Sequence, residues 1–100
     1  MLTVTKETLN SAINSNECVI VDFWAPWCGP CKTLKPIIEE IDSTFDNISC
    51  FSVNIEDDDD IILDFEIRSI PTLIYFKSGV QIDRTVGAIS KETILSKFNN

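Results

Sequence analysis

The sequence predicts an α/β fold, in which helices cover both faces of a mixed β-sheet of four to five strands. Three observations lead to this prediction. The segment Cys18–Trp24 is apolar except for Asp22, which is typical of a strand at the centre of a covered sheet. Helix and strand patterns alternate along the first part of the chain, which favours parallel strands there. The last two strand patterns flank a Ser78-Gly79 turn, which indicates an antiparallel hairpin.

The first half of the chain places two helices around the central strand, and the first few residues add a strand if they are extended. Thr5 is a suitable N-cap for the first helix. Its apolar side is Leu9, Ala12 and Ile13. Alternate residues of the central strand face opposite sides of the sheet: Val19, Val21 and Phe23 on one, Cys18, Ile20, Asp22 and Trp24 on the other. The second helix, which Pro36 should kink, has an apolar stripe of Leu34, Ile37, Ile38, Ile41 and Phe45.

The second half supplies the remaining strands and two more helices, for a total of four helices. Residues 48–55 form a predicted strand with Phe51, Val53 and Ile55 on one face. The acidic run 56–60 precedes a third helix, where carboxylates complement the helix dipole. Calcium binding is the alternative for this run, but the spacing of a calcium loop is absent. Residues 71–77 and 81–86 form the hairpin, the second strand lies at the sheet edge, and Ser90 caps the last helix.

Composition and charge narrow the function. Hydrophobic residues make up 44% of the 100 residues, enough for one core and one domain, residues 1–100. The net charge of −8 disfavours binding to nucleic acid or to anionic membranes. The chain has no histidine, which excludes histidine-dependent hydrolases and the commonest zinc sites. Without a signal pattern or an apolar run of roughly 20 residues, we expect a protein located in the cytoplasm. We also expect it to be a monomer.

Two residues separate Cys28 from Cys31, at the point where the central strand gives way to the second helix. This spacing allows a small disulfide ring, which stabilises a fold little but is suited to opening and closing. Cys28 would lie at the helix N-terminus, where the dipole favours a thiolate, so it is the predicted nucleophile. Cys31 should be shielded and react second. The alternative is a zinc site that also uses Cys18 and Cys50, but their spacing gives no second CxxC pair.

Three segments resemble the thioredoxin family: VDFWAPWCGPCK (residues 21–32), RSIPTLIYFKSG (68–79) and VGA (86–88). The resemblance covers essentially the whole chain. The motif WCGPC is specific, because protein disulfide isomerase domains typically carry CGHC and glutaredoxins CPYC. The resemblance implies a thioredoxin-like three-layer sandwich and a general protein disulfide reductase. It also implies that the domain binds no cofactor and that a flavoprotein thioredoxin reductase re-reduces it with NADPH.

Asp22 is the most informative residue outside the cysteine pair. A buried aspartate on a central strand costs free energy, so it either caps a neighbouring element or is a functional acid with a raised pKa. The resemblance implies the second role, the transfer of a proton to and from Cys31 through water. Where bacterial members of the family often have a lysine beside this aspartate, our alignment places Ser52, so we expect Asp22 to lack a cationic neighbour.

The remaining predicted site residues surround the cysteines. From the residues alone a cis bond before Pro71 is improbable, since about 5–6% of X–Pro bonds are cis. The resemblance implies instead that Pro71 is cis and packs on the disulfide, and that the backbone of Ile70 pairs with an extended substrate. The predicted substrate-binding residues are Trp27, Gly29, Pro30, Ile70, Pro71, Val86, Gly87 and Ala88.

Two other interpretations of function stay open from the sequence. One is an oxidase or isomerase with the same fold, and the other is a binding module without catalytic activity. Cys18 and Cys50 are expected to be buried thiols about two residues out of line on neighbouring strands, too far apart for a disulfide.

Overall fold

The computed structural model describes residues 1–99 and centres on a five-stranded sheet with the strand order β1-β3-β2-β4-β5. The strands are β1 (Leu2–Thr3), β2 (Cys18–Trp24), β3 (Ile48–Asn54), β4 (Thr72–Lys77) and β5 (Val80–Val86). β1, β3 and β2 are parallel, whereas β4 and β5 are antiparallel to their neighbours. The predicted mixed sheet is therefore confirmed, with β2 at its centre and β5 at its edge.

Four helices in the described chain cover the sheet: α1 (Lys6–Ile13), α2 (Gly29–Thr44), α3 (Asp59–Asp64) and α4 (Lys91–Ser96). The apolar residues of α1 and α3 pack with Val19, Val21 and Phe23 on one face of the sheet. Those of α2 and α4 pack with Cys18 and Ile20 on the other face. Because the side chains of β2 alternate between two covered faces, the result is the predicted three-layer sandwich.

Local sequence signals account for the ends of these elements. Thr5, Asp58 and Ser90 are the N-caps of α1, α3 and α4, and α3 carries two further aspartates in its first turn. The acidic run is thus a helix start, as its pattern predicted. The hairpin turn has positive φ angles at both Ser78 and Gly79, the conformation that suits a tight antiparallel connection.

The strand register brings four segments to one edge of the sheet. Phe23, near the end of β2, pairs with Thr72 at the start of β4, and Thr72 pairs with Val86 at the end of β5. The turn from β2 into α2 therefore lies next to the segment before Thr72 and the segment after Val86. The end of the parallel strand β3 reaches the same edge, since Trp24 pairs with Asn54.

No helix within residues 1–99 is long and apolar enough to cross a bilayer.

Candidate active site

Cys28 and Cys31 form a disulfide at this edge of the sheet, with their Cα atoms 5.3 Å apart. Each cysteine is only 4% exposed. They pack with Ala25 and against the partly buried Trp24 and Ile70. The prediction that Cys31 is shielded is confirmed, and in the oxidised pair Cys28 is shielded to the same degree, because the bond brings both sulfurs into the same apolar contact. Helix position and hydrogen bonding, not exposure, distinguish the two.

The start of α2 distinguishes the two cysteines electrostatically. Cys28 is the N-cap residue, and its Sγ accepts a hydrogen bond of 3.2 Å from the backbone N–H of Cys31. The proline in the first turn of α2 has no N–H group, which the start of a helix does not require. The first turn also contains no acidic residue that would repel a thiolate. The free N–H groups and the helix dipole therefore favour negative charge on the sulfur of Cys28. Cys31, inside the helix, lacks this advantage.

Asp22 lies on β2 and is only 2% exposed. Its Oδ1 atom has no hydrogen-bond partner among the described residues. Burial raises the pKa of this carboxyl from its ordinary 3.8 to about 7, and the charge of Lys35 offsets part of that rise. The expected raised pKa is confirmed, and Asp22 is poised to exchange a proton near neutral pH.

A cleft of about 280 Å³ reaches Asp22 from the surface. Cys31 and Asp22 line the same cleft, together with Ser52 and Lys35. Ser52 pairs with Asp22 across the strands, as the alignment predicted, but its hydroxyl lies 3.2 Å from that of Thr3. The expectation that Asp22 lacks a cationic neighbour is wrong, since α2 supplies Lys35 in place of a cation on β3.

The segment before β4 lies beside the disulfide, and the surface that it forms there with the cysteine pair is called the groove. The Ile70-Pro71 peptide bond is cis, as the resemblance implied, and Pro71 is buried. Ile70 packs against the cysteine cluster. Within residues 1–99 neither its amide nor its carbonyl makes a backbone hydrogen bond, so both are free to pair with an extended chain. The carbonyl of Pro71 accepts a hydrogen bond of 2.8 Å from Gly87, which holds the segment after β5 in place.

The other predicted contact residues lie around this groove. Val86 is 55% exposed and Trp27 is 67% exposed, both large for apolar side chains. Ala88, Gly29 and Pro30 are exposed as well, and a side-chain carbon added at Gly29 would meet no atom within 4 Å. Of the eight predicted contact residues, five are therefore exposed, Ile70 and Gly87 are partly buried and Pro71 is buried; their contact with a substrate stays a prediction.

The sequence analysis missed two residues of the site, Glu56 and Lys35. The indole N–H of Trp27 donates a hydrogen bond of 2.9 Å to Glu56, which fixes the exposed ring. Glu56 follows β3, and Trp27 follows the parallel strand β2. Because parallel neighbouring strands end at the same edge of the sheet, the sequence could have indicated that these two residues lie close together. Lys35 lies four residues after Cys31 on α2, and this spacing alone places both on one face of the helix.

The two remaining cysteines lie away from the groove. Cys18 and Cys50 are free and buried in the core under α2 and α4. In the register of β2 and β3, Cys50 pairs with Ile20 and Cys18 with Ile48, the predicted offset of two residues. Burial raises the pKa of both thiols, so neither is an activated nucleophile. In the described part of the chain, no three His, Cys, Asp or Glu side chains are grouped in a way that could hold a metal ion.

Comparison with known proteins places the whole chain in one family. A family model described as Thioredoxin matches residues 1–100. A thioredoxin of Pyropia yezoensis is 44% identical over 88 residues, which span 87% of this chain and 82% of the relative. Thioredoxin 1 of Synechococcus elongatus is 42% identical over 98 residues, which span 97% of this chain and 88% of the relative.

Comparison with solved structures finds the same family. The structure of a Plasmodium falciparum thioredoxin superimposes with a TM-score of 0.89 and 33% sequence identity, over 98% of this chain and 99% of the other. The chain thus has the fold of that family. At the start of a helix, next to a buried acid, it carries a disulfide within a CxxC motif.

Proposed function

The chain belongs to the thioredoxin family and is a protein disulfide reductase, and we propose that Cys28 attacks the substrate disulfide while Cys31 and Asp22 complete the reaction. The observation that carries this assignment is the hydrogen bond from the Cys31 amide to the sulfur of Cys28 at the N-cap of α2. In the oxidised protein this donor already points at the sulfur of Cys28, so after reduction it favours the thiolate there, and the thiolate is the reactive form of a cysteine.

In the first step the Cys28 thiolate attacks one sulfur of the substrate disulfide. A bond forms between Cys28 and that sulfur, the substrate disulfide breaks, and the other substrate sulfur leaves as a thiolate that takes a proton from water. The product is a mixed disulfide between Cys28 and the substrate.

In the second step Cys31 transfers its proton to the carboxylate of Asp22. The Cys31 thiolate attacks Cys28, so the Cys28–Cys31 bond forms and the mixed disulfide breaks. The released substrate sulfur takes a proton, either from Asp22 or from water. Two electrons have then passed from the dithiol to the substrate. The shared cleft of Asp22 and Cys31, and the pKa of Asp22 of about 7, support this proton route.

The groove beside the disulfide is the proposed substrate site. An extended substrate segment pairs with the free backbone groups of Ile70, as a strand adds to a sheet edge. Its side chains contact the apolar surface that Trp27 and Val86 expose, together with the backbone of Gly29, Pro30, Gly87 and Ala88. The buried Pro71 holds the segment against the cysteines.

We further propose the cellular context of this reaction. Residues 1–100 act as one domain and as a monomer, with no bound cofactor. A flavoprotein thioredoxin reductase that uses NADPH returns the disulfide to the dithiol. Location in the cytoplasm stays a prediction, which the two free thiols of Cys18 and Cys50 support, since reducing compartments keep such thiols reduced.

The reduction of insulin with dithiothreitol as electron donor tests the proposal. The wild-type protein should accelerate reduction, and Cys28→Ser should abolish the acceleration. Cys18→Ser is the matched control, since it removes a thiol outside the site and should retain the activity. Equal rates with wild-type protein and without protein would favour the non-catalytic binding module. Rapid oxidation of a reduced peptide by the disulfide form, with no reductase activity, would favour the oxidase.

A further inference from the structure

A surface cleft of about 340 Å³ lies beside the groove and contains both arginines of the chain. We call this cleft the arginine pocket, and it is lined by Glu66, Arg68, Ser69, Thr72, Arg84 and Val86. Val86 belongs to the exposed apolar surface proposed for the substrate. Ser69 directly precedes Ile70, whose backbone groups are free to pair with an extended chain. The arginine pocket is therefore continuous with the groove.

The register of the hairpin directs Arg84 to this pocket. Arg84 pairs with Ile74, which packs in the core between the sheet and the helices α1 and α3. Because paired residues face the same side of a sheet, the side chain of Arg84 points toward α3. At the end of α3 its Nη1 and Nη2 atoms donate hydrogen bonds of 3.1 and 2.6 Å to the carbonyls of Glu66 and Phe65. These two bonds fix the position of the guanidinium group.

The two carbonyls hold the guanidinium group of Arg84 but do not neutralise its charge. A guanidinium group has five N–H donors, so donors remain for a ligand. None of the four ion pairs among residues 1–99 includes Arg84 or Arg68. Asp83, next to Arg84 on β5, faces the other side of the sheet and pairs with Lys97 at 3.2 Å. Two cations and the single carboxylate of Glu66 therefore leave the pocket with a positive charge.

Charged side chains of opposite sign lie on the two sides of the groove. The strand order places β3 on one side of β2, which leads to the cysteine pair, and places β4 and β5 on the other side. Glu56 and the acidic run that it begins follow β3. Arg68 precedes β4, and Arg84 lies on β5. An acidic side chain of a bound substrate is therefore repelled from the first side and attracted to the second.

We propose that the arginine pocket binds the carboxylate of a glutamate or aspartate in the protein substrate, and that it thereby selects substrates with an acidic residue near the attacked cysteine. This inference rests on the proposed function of Cys28 and of the groove, and it adds the class of substrate. Arginine suits this role because its planar set of donors matches the two oxygens of a carboxylate.

The position of the pocket sets the position of the acidic residue. Ile70 packs against the cysteine pair, so the attacked cysteine of the substrate lies beside Ile70. Arg68 lies two residues before Ile70. Since an extended chain rises about 3.3 Å per residue, the acidic residue should lie about two or three positions from the substrate cysteine, on one side only.

The test uses pairs of short peptides that contain one cysteine, held as a mixed disulfide with 2-thiopyridine. Within a pair, one peptide has glutamate and the other has glutamine at the same position, and each position around the cysteine is tried in turn. The thiolate of Cys28 forms a bond with the peptide sulfur, and the bond to 2-thiopyridine breaks. The leaving group takes a proton from water and is neutral, and its release gives the rate of attack. The readout is the ratio of the glutamate rate to the glutamine rate, in which a general loss of folding or reactivity cancels.

The reduced wild-type protein should react about three- to five-fold faster with the glutamate peptide at the favoured positions. The net charge of −8 alone predicts the opposite, a slower reaction with every glutamate peptide. Arg68→Gln and Arg84→Gln should each lower the ratio, and the double variant should bring it to one or below. Glu66→Gln should raise the ratio, because it removes the carboxylate that competes for the arginines. Lys77→Gln is the matched control, since it removes a cation at the opposite end of β4 and should retain the wild-type ratio.

Four outcomes would overturn the proposal: a wild-type ratio of one or less at every position, an unchanged ratio in the double arginine variant, an equal decrease in Lys77→Gln, or a decrease in Glu66→Gln. Cys28→Ser separates this result from the proposed function. If Cys28→Ser is inactive and the wild-type ratio is one, only the role of the arginine pocket is wrong. If Cys28→Ser releases 2-thiopyridine as fast as the wild type, the assignment of Cys28 is wrong, while the ratio still decides the role of the pocket.

Discussion

Replacing the carboxyl of Asp22 should make the protein more stable, and increasingly so as the pH rises. Asp22 is 2% exposed and has an unpartnered oxygen, so its ionised form is costly in the folded state. Asp22→Asn keeps the shape of the side chain and removes the charge. The substitution therefore isolates the electrostatic effect from the cavity that Asp22→Ala would leave.

The sign and the size of the effect follow from the pKa of Asp22, which is about 7 in the folded protein against an ordinary value of 3.8. Below the lower value the carboxyl is protonated in both states. Between the two values only the unfolded chain loses the proton, so stability falls as the pH rises, and above the folded pKa the loss levels off. At about 1.4 kcal/mol for each pKa unit, the full loss is about 4 kcal/mol.

Urea denaturation of the oxidised proteins measures this difference. Between about pH 5 and about pH 8, the stability of Asp22→Asn relative to wild type should increase by about 2–3 kcal/mol, because most of the linkage lies in that interval. Near the higher pH we expect a net gain of about 1–3 kcal/mol for either Asp22→Asn or Asp22→Ala. Asp46→Asn, at an exposed aspartate, is the control and should show a nearly constant difference. A difference for Asp22→Asn that does not vary with pH would refute the reasoning.

Three further predictions concern the cysteines outside the site, the groove and the acidic surface. The variant with Cys18→Ala and Cys50→Ala should retain insulin reduction, since both thiols are buried away from the groove; loss of activity in a folded variant would contradict this. Val86→Asp should lower kcat/KM for insulin about ten-fold or more, because it places a charge on the apolar contact surface, while the alkylation rate of Cys28 should change little. A net charge of −8 predicts that association with a reductase of basic rim slows as salt rises from roughly 0.02 to 0.5 M, and a rate independent of salt would show that the acidic surface has no steering role.

The sequence predicted the layers of the fold because each depended on local periodicity. The alternation of Val19, Val21 and Phe23 with their neighbours was enough to place β2 between two covered faces. The pairing of Asp22 with Ser52 followed from the alignment with the family, and the register of β2 and β3 confirms it. The cis bond before Pro71 followed from the family resemblance only, since the residues alone favoured trans.

The features that the sequence analysis missed depend on packing between elements, for which spacing and the shared sheet edge are only partial signals. Lys35 reaches the cleft of Asp22 because of the way α2 lies across the sheet, which periodicity does not define. The contact of Trp27 with Glu56 joins residues 29 positions apart in two loops. The burial of Cys28 was not predicted, because it is a property of the closed disulfide, which brings its sulfur into the same apolar contact as that of Cys31.

Trapping of the mixed disulfide is the most direct test of the central claim, that Cys28 attacks and Cys31 resolves. Cys31→Ser and Cys28→Ser are each reduced and mixed with an insulin disulfide substrate, and the products are identified by mass spectrometry under non-reducing conditions. Cys31→Ser should accumulate a stable covalent adduct through Cys28, because the resolving thiol is absent, and Cys28→Ser should form none. An adduct through Cys31 in the Cys28→Ser variant, formed as fast as the adduct in Cys31→Ser, would contradict the assignment drawn from the hydrogen bond at the start of α2.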